Sequence, residues 1–213
     1  MHPRLYLITP PEFELEEFAG KLEEALAGGD VASVLISMPN APEGVLQKAA
    51  KRLVPLIQAA DSAALIENDT QIMGRSGADG LHFIGDDQGL EEVMSTLRDD
   101  KIIGHGGVKT RHAAMVVASM GVDYMFFGLT NLEQTPEAHP KTLEFGSWWA
   151  EVFETPCVVL GGTSMESVEA CAQTKAEFVA LREAIWDHPE GPRVAVQQAN
   201  AILAQIELPE FED

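Results

Sequence analysis

Basic residues are scarce in this chain of 213 residues, which has 14 lysines and arginines against 34 aspartates and glutamates. The resulting formal net charge of −20 repels phosphate backbones and anionic lipid, so we expect neither nucleic acid nor a membrane surface as a partner. An apolar run of about 18 residues is also missing, which argues against a membrane-spanning helix. Any phosphate site must therefore be local, formed by backbone amides and a few cations.

Cysteine is almost absent as well, with Cys157 in a predicted strand and Cys171 in a predicted helix, at no spacing that metal ligands use. Two buried free thiols are typical of a reducing compartment, so we expect a cytoplasmic location. The apolar stretch at residues 5–8 is too short for a secretory signal peptide, and no cleavage pattern follows it.

The chain alternates short apolar runs, typical of strands, with amphipathic segments, typical of helices. The predicted strands lie at residues 5–9, 31–37, 63–66, 79–83, 101–105, 122–127, 157–160 and 177–181. The predicted helices lie at residues 12–27, 42–60, 69–76, 88–98, 110–120, 143–153, 164–173 and 192–205. This alternation predicts a parallel sheet covered by helices.

A glycine-rich turn is missing after the first predicted strand, where the chain reads Thr9-Pro10-Pro11. An open sheet that binds a dinucleotide needs glycines at this point, so that class is disfavoured. Eight units in roughly 200 residues instead favour a closed (β/α)₈ TIM barrel of the phosphate-binding type. We predict a single domain over residues 1–213, with the barrel at about 4–205 and an acidic tail at 206–213.

Acidic side chains follow two neighbouring strands on the face where such barrels carry their active sites. Asn68 and Asp69 come after the third strand, and Asp86 and Asp87 after the fourth. Mg²⁺ binds carboxylates together with water and the phosphates of a ligand, so these loops are a candidate magnesium site. Helix capping by the aspartates explains the same residues, and the sequence alone leaves both interpretations open.

Glycines after the seventh strand indicate a place where a backbone approaches an anion. Gly161, Gly162 and Thr163 precede a predicted helix, whose first N–H groups attract phosphate. The alternative is that Thr163 or its neighbour merely caps that helix. Arg182 follows the eighth strand, where it either neutralises a phosphate or pairs with the adjacent Glu183.

The loop after the fifth strand combines a histidine, a Gly106-Gly107 pair and Lys109. His105 is a candidate acid or base near neutral pH, although a packed loop residue is the simpler interpretation. His82 lies inside the fourth strand and is expected to be a residue of the barrel core. A Schiff-base enzyme needs a lysine near the C-terminal end of a strand, whereas Lys101 and Lys175 stand where strands begin, so that class is disfavoured and only Lys109 is left open for it.

Several of these segments resemble the thiamine phosphate synthase and TenI-type thiazole tautomerase family. Residues 65–69, Leu-Ile-Glu-Asn-Asp, are similar to its I-N-D segment, and residues 76–82, Ser-Gly-Ala-Asp-Gly-Leu-His, to its V-G-A-D-G-V-H strand. Residues 159–162 match the family's phosphate-binding glycine pair. The resemblance covers about residues 4–205.

This resemblance implies that the chain joins hydroxymethylpyrimidine pyrophosphate to thiazole phosphate with Mg²⁺ and releases pyrophosphate. It implies that Asp69 and Asp87 hold the magnesium and that Gly161 and Gly162 bind the thiazole phosphate. Besides these, we expect Asn68 and His105 in catalysis, and Thr163, Arg182, Glu183 and Lys109 in phosphate binding. The expected ligand is thus a small phosphorylated heterocycle, and a homo-oligomer is left open.

Four segments depart from the family pattern, and one of them follows the fifth strand, where the family's Ser-Thr-His reads Gly-Gly-Val at residues 106–108. The family's Q-L-R-E-K run, whose cations meet the pyrophosphate, reads Leu-Ile-Ser-Met-Pro at residues 35–39. Its T-x-T-K loop reads Glu-Gln-Thr-Pro at residues 133–136, and its V-S-A-I segment has Arg182 and Glu183 in place of the serine. Two alternatives follow: a non-catalytic protein that binds a thiazole or pyrimidine phosphate, and a tautomerase with His105 as its acid or base.

Overall fold

The computed structural model describes residues 1–97 and 101–208 of the chain. Within them, eight parallel strands pair in chain order and close into a barrel, with β8 returning to β1. The strands are β1 Arg4–Ile8, β2 Ser33–Ile36, β3 Ala63–Glu67, β4 Gly80–Phe83, β5 Ile102–His105, β6 Tyr124–Phe127, β7 Cys157–Leu160 and β8 Phe178–Leu181. The predicted (β/α)₈ barrel is confirmed.

Helices follow every strand of the described chain and form the outer ring of the barrel. They are α1 Leu15–Leu26, α2 Glu43–Ala59, α3 Thr70–Ser76, α4 Asp87–Leu97, α5 Arg111–Ser119, α6 Pro140–Val152, α7 Ser167–Ala172, α8 Glu183–Trp186 and α9 Pro192–Leu203. The predicted end of the fourth helix at residue 98 and most of the predicted acidic tail, residues 209–213, lie outside the described residues. In the described ranges, no helix is long and apolar enough to span a bilayer.

Two layers of buried side chains form the core, because successive residues of a strand point to opposite faces of the sheet. The barrel interior is filled by Tyr6, Ile8, Leu35, Leu65, Tyr124, Phe126, Val158, Leu160 and Ala180. The outer layer, which packs against the helices, contains the alternate residues of the same strands, such as Leu5, Leu7 and Val159. Large aromatic rings therefore occupy both layers.

The same alternation fixes the direction of the histidines on β4 and β5. Leu81 and Ile103 belong to the outer layer, so His82 points into the barrel and His105 points out of it. His105 packs against Phe83, with ring centroids 5.8 Å apart. The interior position beside His82 in the register is Gly104, which leaves room for the ring of Tyr124.

Three segments on the C-terminal face differ from the predicted boundaries. Helix α6 begins at Pro140 rather than at residue 143, because His139 Nδ1 accepts from the Lys141 amide and proline suits a first helical turn. Helix α7 begins at Ser167 rather than at residue 164, because a turn ends at that residue. The short helix α8 was not predicted; the indole Nε1 of Trp186 fixes it by donating to the Ile8 carbonyl at 2.7 Å.

Candidate functional site

A cavity of about 640 Å³ opens at the C-terminal ends of the strands, and we call it the mouth cavity. A cavity of this size is typical of small-molecule sites. Its lining includes the polar and charged residues Ser37, Asn40, Glu67, Asn68, His82, Lys109, Thr130, Asn131, Glu133 and Arg182. The active face expected for this fold therefore carries a cavity that brings together three of the predicted site residues, Asn68, Lys109 and Arg182.

His82 begins a hydrogen-bonded chain of three side chains inside the barrel. Its Nδ1 lies 2.9 Å from the Tyr124 hydroxyl, which lies 3.1 Å from the Tyr6 hydroxyl. Burial lowers the pKa of His82 to about 3, so the ring is neutral at physiological pH. Its Nε2 has no hydrogen-bond partner within residues 1–97 and 101–208, although such buried atoms are normally paired. His82 is thus both a core residue, as predicted, and part of the cavity wall.

Glu67 stands beside His82 in the register of β3 and β4, with its side chain lining the mouth cavity. The Ser37 hydroxyl donates to Glu67 Oε2 at 2.5 Å. Burial raises the pKa of Glu67, while this hydrogen bond and the charge of Arg182 act in the opposite direction. The sequence interpretation missed both residues. The two-residue periodicity of β3 identifies Glu67, because it shares a face with Leu65 of the barrel interior.

The loop after β3 is held by its two polar side chains. Asn68 adopts φ 58°, and its Oδ1 accepts from the Ile84 amide at 2.7 Å, which ties this loop to the loop after β4. Asp69 Oδ1 accepts from the Ile72 amide at 2.7 Å and caps helix α3. The helix-capping interpretation of Asp69 is therefore correct, and it leaves the other carboxylate oxygen for a ligand.

The fit of a magnesium ion depends on Asp69 and on Asp87, an exposed residue at the start of α4. No group of three or more metal-ligating side chains occurs in the described part of the chain. Mg²⁺ is usually held by one or two carboxylates, with water and substrate phosphates as the remaining ligands. Asp69 and Asp87 follow neighbouring strands, β3 and β4, and neither lines the mouth cavity, so an ion held by them would need the substrate and water as its other ligands.

His105 does not reach the mouth cavity, so the predicted acid or base role needs correction. Its side chain is only 3 % exposed. It packs on the outer side of the sheet, because it lies two residues after Ile103 of the outer layer. Burial lowers its pKa, an effect that the Gly85 backbone and the Asp87 carboxylate partly offset. The histidine that the fold presents to the cavity is His82 instead.

The amides of the β7 loop, residues 161–166, donate to other protein groups rather than to an open hollow. Gly161 donates to the Ala180 carbonyl, and Gly162 donates to the Ser167 hydroxyl at 2.9 Å. Thr163 donates to the Thr135 carbonyl at 2.8 Å. The predicted phosphate cradle at Gly161, Gly162 and Thr163 is therefore closed in this structure.

The β6 loop, residues 128–139, closes the part of this cradle formed by Thr163 and Ser164. The Pro136 carbonyl accepts from the Ser164 amide at 3.2 Å, and a Cβ on Gly162 would lie 2.2 Å from that same oxygen. Glycine is thus required at residue 162 by the approach of the β6 loop. The sequence showed the glycine pair, but nothing in its pattern showed which group approaches it.

Arg182 lines the mouth cavity and pairs with Glu183, which is one of the two interpretations that the sequence left open. Its Nε donates to Glu183 Oε1 at 2.6 Å, and its Nη1 donates to the Thr130 carbonyl at 2.9 Å. The side chain is 12 % exposed, so its remaining N–H groups border the cavity from a largely desolvated position. Glu183 itself binds Arg182 rather than a phosphate, since two anions repel each other.

Lys109 provides the second cation and is exposed at the edge of the mouth cavity. It also borders a smaller, mainly apolar cavity of about 150 Å³ between the β6 loop and α6. Its carbonyl accepts from Lys141 Nζ at 2.9 Å, which ties the loop after β5 to α6. The predicted cations Arg182 and Lys109 thus lie at one cavity, whereas His105 and the glycine pair do not line it.

Comparisons with known proteins agree with the barrel fold. The family model described as thiamine monophosphate synthase matches residues 5–185. The thiamine-phosphate synthase of Rhodospirillum centenum is 38% identical over 203 residues, covering 94% of this chain and 97% of the relative. That of Hyphomonas neptunium is 32% identical over 210 residues, covering 95% of each. A thiamine phosphate pyrophosphorylase structure from Pyrococcus furiosus superposes with a TM-score of 0.79 at 22% identity, covering 95% of this chain and 96% of that one.

Proposed function

Because the chain belongs to the thiamine monophosphate synthase family, as its sequence motifs predicted, we propose that it is a transferase of thiamine biosynthesis. It joins hydroxymethylpyrimidine pyrophosphate to thiazole phosphate and releases pyrophosphate. The observation that carries this proposal is the match of the family over nearly the whole barrel, including the strands that form the mouth cavity.

The mouth cavity is the proposed place of reaction. Its volume of about 640 Å³ is sufficient for two small heterocycles, and its wall combines an apolar side with hydrogen-bonding groups. Holding both substrates in one enclosed space turns a bimolecular step into an effectively unimolecular one. The buried side chains of Tyr6, Tyr124 and Phe126 fill the barrel interior, so water does not enter the mouth cavity through the barrel.

Phosphate groups of both substrates are proposed to bind at Arg182 and Lys109. On a chain with a net charge of −20, these two cations give the cavity a local positive side. Arg182 is held by Glu183 and Thr130, so it keeps one orientation as charge develops on the leaving pyrophosphate. The geometry favours these side chains over the engaged amides of Gly161, Gly162 and Thr163.

Magnesium is part of the proposal, with Asp69 and Asp87 as its protein ligands. When bound, the ion would supply further positive charge to the phosphates of the substrate. Asn68 fixes the position of this loop through its bond to the Ile84 amide, so we assign it a positioning role. We also propose that the barrel is the protein's single domain and that the protein works in the cytoplasm, consistent with two buried free cysteines.

The test is an assay of the purified protein with both substrates and Mg²⁺, in which thiamine phosphate is measured by chromatography. We expect product that depends on both substrates and on the metal. Omission of each substrate in turn is the control. If no product forms at high enzyme concentration while thiazole phosphate still raises the melting temperature, the protein binds without turnover.

A further inference from the structure

Glu67 places an anionic side chain in a cavity that is proposed to bind phosphates. It ends β3, and its side chain points into the barrel with that of Leu65. The family motif quoted for this segment has isoleucine where this chain has Glu67, so its role is not carried over from the family. A carboxyl group here must interact with a part of the ligand that is not anionic.

Ser37 holds Glu67 in one orientation. Its hydroxyl donates to Glu67 Oε2 at 2.5 Å, and its own side chain is only 5 % exposed. Its backbone is fixed in turn, because its amide donates to Thr9 Oγ1 at 3.1 Å. Glu67 Oε1 has no hydrogen-bond partner within residues 1–97 and 101–208, which leaves an oriented acceptor at the wall of the mouth cavity.

The neighbour of Glu67 on the cavity wall is His82. His82 stands next to it in the register, is fully buried and lines the same cavity, yet its Nε2 has no partner in the described chain. The Glu67 carboxylate and the neutral His82 ring thus belong to the same wall of the cavity. Arg182 also borders the cavity, so phosphates have a separate place to bind.

We propose that Glu67, oriented by Ser37, binds the exocyclic amino group of an aminopyrimidine and excludes the ring that carries an oxo group instead. A carboxylate accepts hydrogen bonds and repels a carbonyl oxygen, whereas an amino group donates. The choice of an aminopyrimidine rests on the proposed function. The role assigned to Glu67 is that of a specificity residue.

The test compares two probes by calorimetry with the full chain: 4-amino-5-hydroxymethyl-2-methylpyrimidine and its 4-oxo counterpart. We expect the wild type to bind the amino ring at least about tenfold more tightly than the oxo ring, because only the amino ring donates a charge-assisted hydrogen bond to Glu67. Glu67→Gln offers a donor as well as an acceptor, so its preference for the amino ring should disappear or reverse. Ser37→Ala should weaken the preference without reversing it.

Glu144→Gln is the matched control, because Glu144 is an exposed glutamate that pairs with Arg111 outside the mouth cavity. It should keep the wild-type preference. If Glu67→Gln fails to fold, the Ser37→Ala result decides. Equal binding of both rings by the wild type, or an unchanged preference in the folded Glu67 and Ser37 variants, would overturn the inference.

This outcome is separable from that of the proposed function. A wild type that makes thiamine phosphate while Glu67→Gln keeps the amino preference contradicts the inference alone. A wild type that selects the amino ring through Glu67 but makes no product contradicts the proposed activity alone.

Discussion

The amide of Thr163 donates to the carbonyl oxygen of Thr135 at 2.8 Å, so the loop after β7 is bound to the loop after β6. The Ser164 amide donates to the next carbonyl, that of Pro136, at 3.2 Å. These two contacts occupy amides of the segment that the sequence analysis predicted to bind a phosphate. Phosphate binding at the amides of Thr163 and Ser164 requires the β6 loop to move away first.

Gly162→Ala is predicted to destabilise the protein. The new Cβ would lie 2.2 Å from the Pro136 carbonyl oxygen, so the β6 loop must shift. Overpacking of this kind costs about 1–3 kcal/mol in the free energy of unfolding, which urea denaturation measures. The control is Gly20→Ala in α1, where no atom lies within 4 Å of the new Cβ. Alanine should raise stability there by about 0.5–1 kcal/mol, and equal effects at both glycines would contradict the contact.

Arg182→Gln is predicted to weaken the binding of inorganic pyrophosphate about 10-fold to 100-fold, because a charge-assisted contact is worth roughly 1.5–3 kcal/mol. Glu183→Gln should act in the opposite direction. It removes the carboxylate that holds Arg182 Nε at 2.6 Å and so leaves more positive charge for the ligand. Calorimetric titration of both variants measures the two effects. Weaker binding in both variants would contradict this and show that the Glu183 carboxylate positions Arg182 for the ligand.

Asp69→Asn is predicted to separate the two roles of this residue. The amide oxygen can still accept from the Ile72 amide, so helix α3 keeps its cap and the free energy of unfolding changes little. The dependence of product formation on Mg²⁺ should nevertheless be lost, because the carboxylate charge is gone.

Two further variants complete this experiment. Asp69→Ala removes both the cap and the ligand, so it should also lose about 1 kcal/mol of stability. Thr110→Ala removes the N-cap of α5 alone and should keep the metal dependence. Unchanged dependence on Mg²⁺ in Asp69→Asn would place the metal at other ligands.

The buried His82 is predicted to make the protein less stable in mild acid. Its pKa is about 3 when folded and about 6.5 when unfolded, so between these values only the unfolded chain binds a proton. Stability is therefore full above pH 6.5 and falls by about 1.4 kcal/mol per pH unit below it. From pH 7 to pH 5, the free energy of unfolding of the wild type should fall by about 2 kcal/mol more than that of His82→Gln.

Urea denaturation at the two pH values measures this difference. Replacement of the exposed His112 by glutamine is the control and should leave the pH dependence of the wild type. An identical fall in the wild type and in His82→Gln would mean that folding does not lower the pKa of His82.

The architecture was predictable because it depends on repeated patterns. Eight apolar runs separated by amphipathic segments, and the prolines after β1 in place of glycines, were sufficient to predict a closed barrel. Helix ends depend on single hydrogen bonds, such as that of His139 Nδ1 with the Lys141 amide, so they were predicted less well.

The candidate site was predictable only in part, because strand parity and loop contacts decide it. His105 and His82 lie near the ends of adjacent strands, yet one points outward and the other into the barrel. Counting in steps of two from Leu81 and Ile103 distinguishes them. No comparable rule predicts that the carbonyls of the β6 loop reach the amides of the β7 loop, since that contact joins loops of irregular conformation.

The bond from Trp186 to the Ile8 carbonyl joins residues 178 positions apart at the seam between the last and first strands. Closing so long a segment has a large entropic cost before any contact offsets it. During synthesis, the edge of β1 that pairs with β8 stays unpaired until β8 has left the ribosome. The fluorescence of the Trp186 indole would therefore report the pairing of β8 with β1, which closes the barrel.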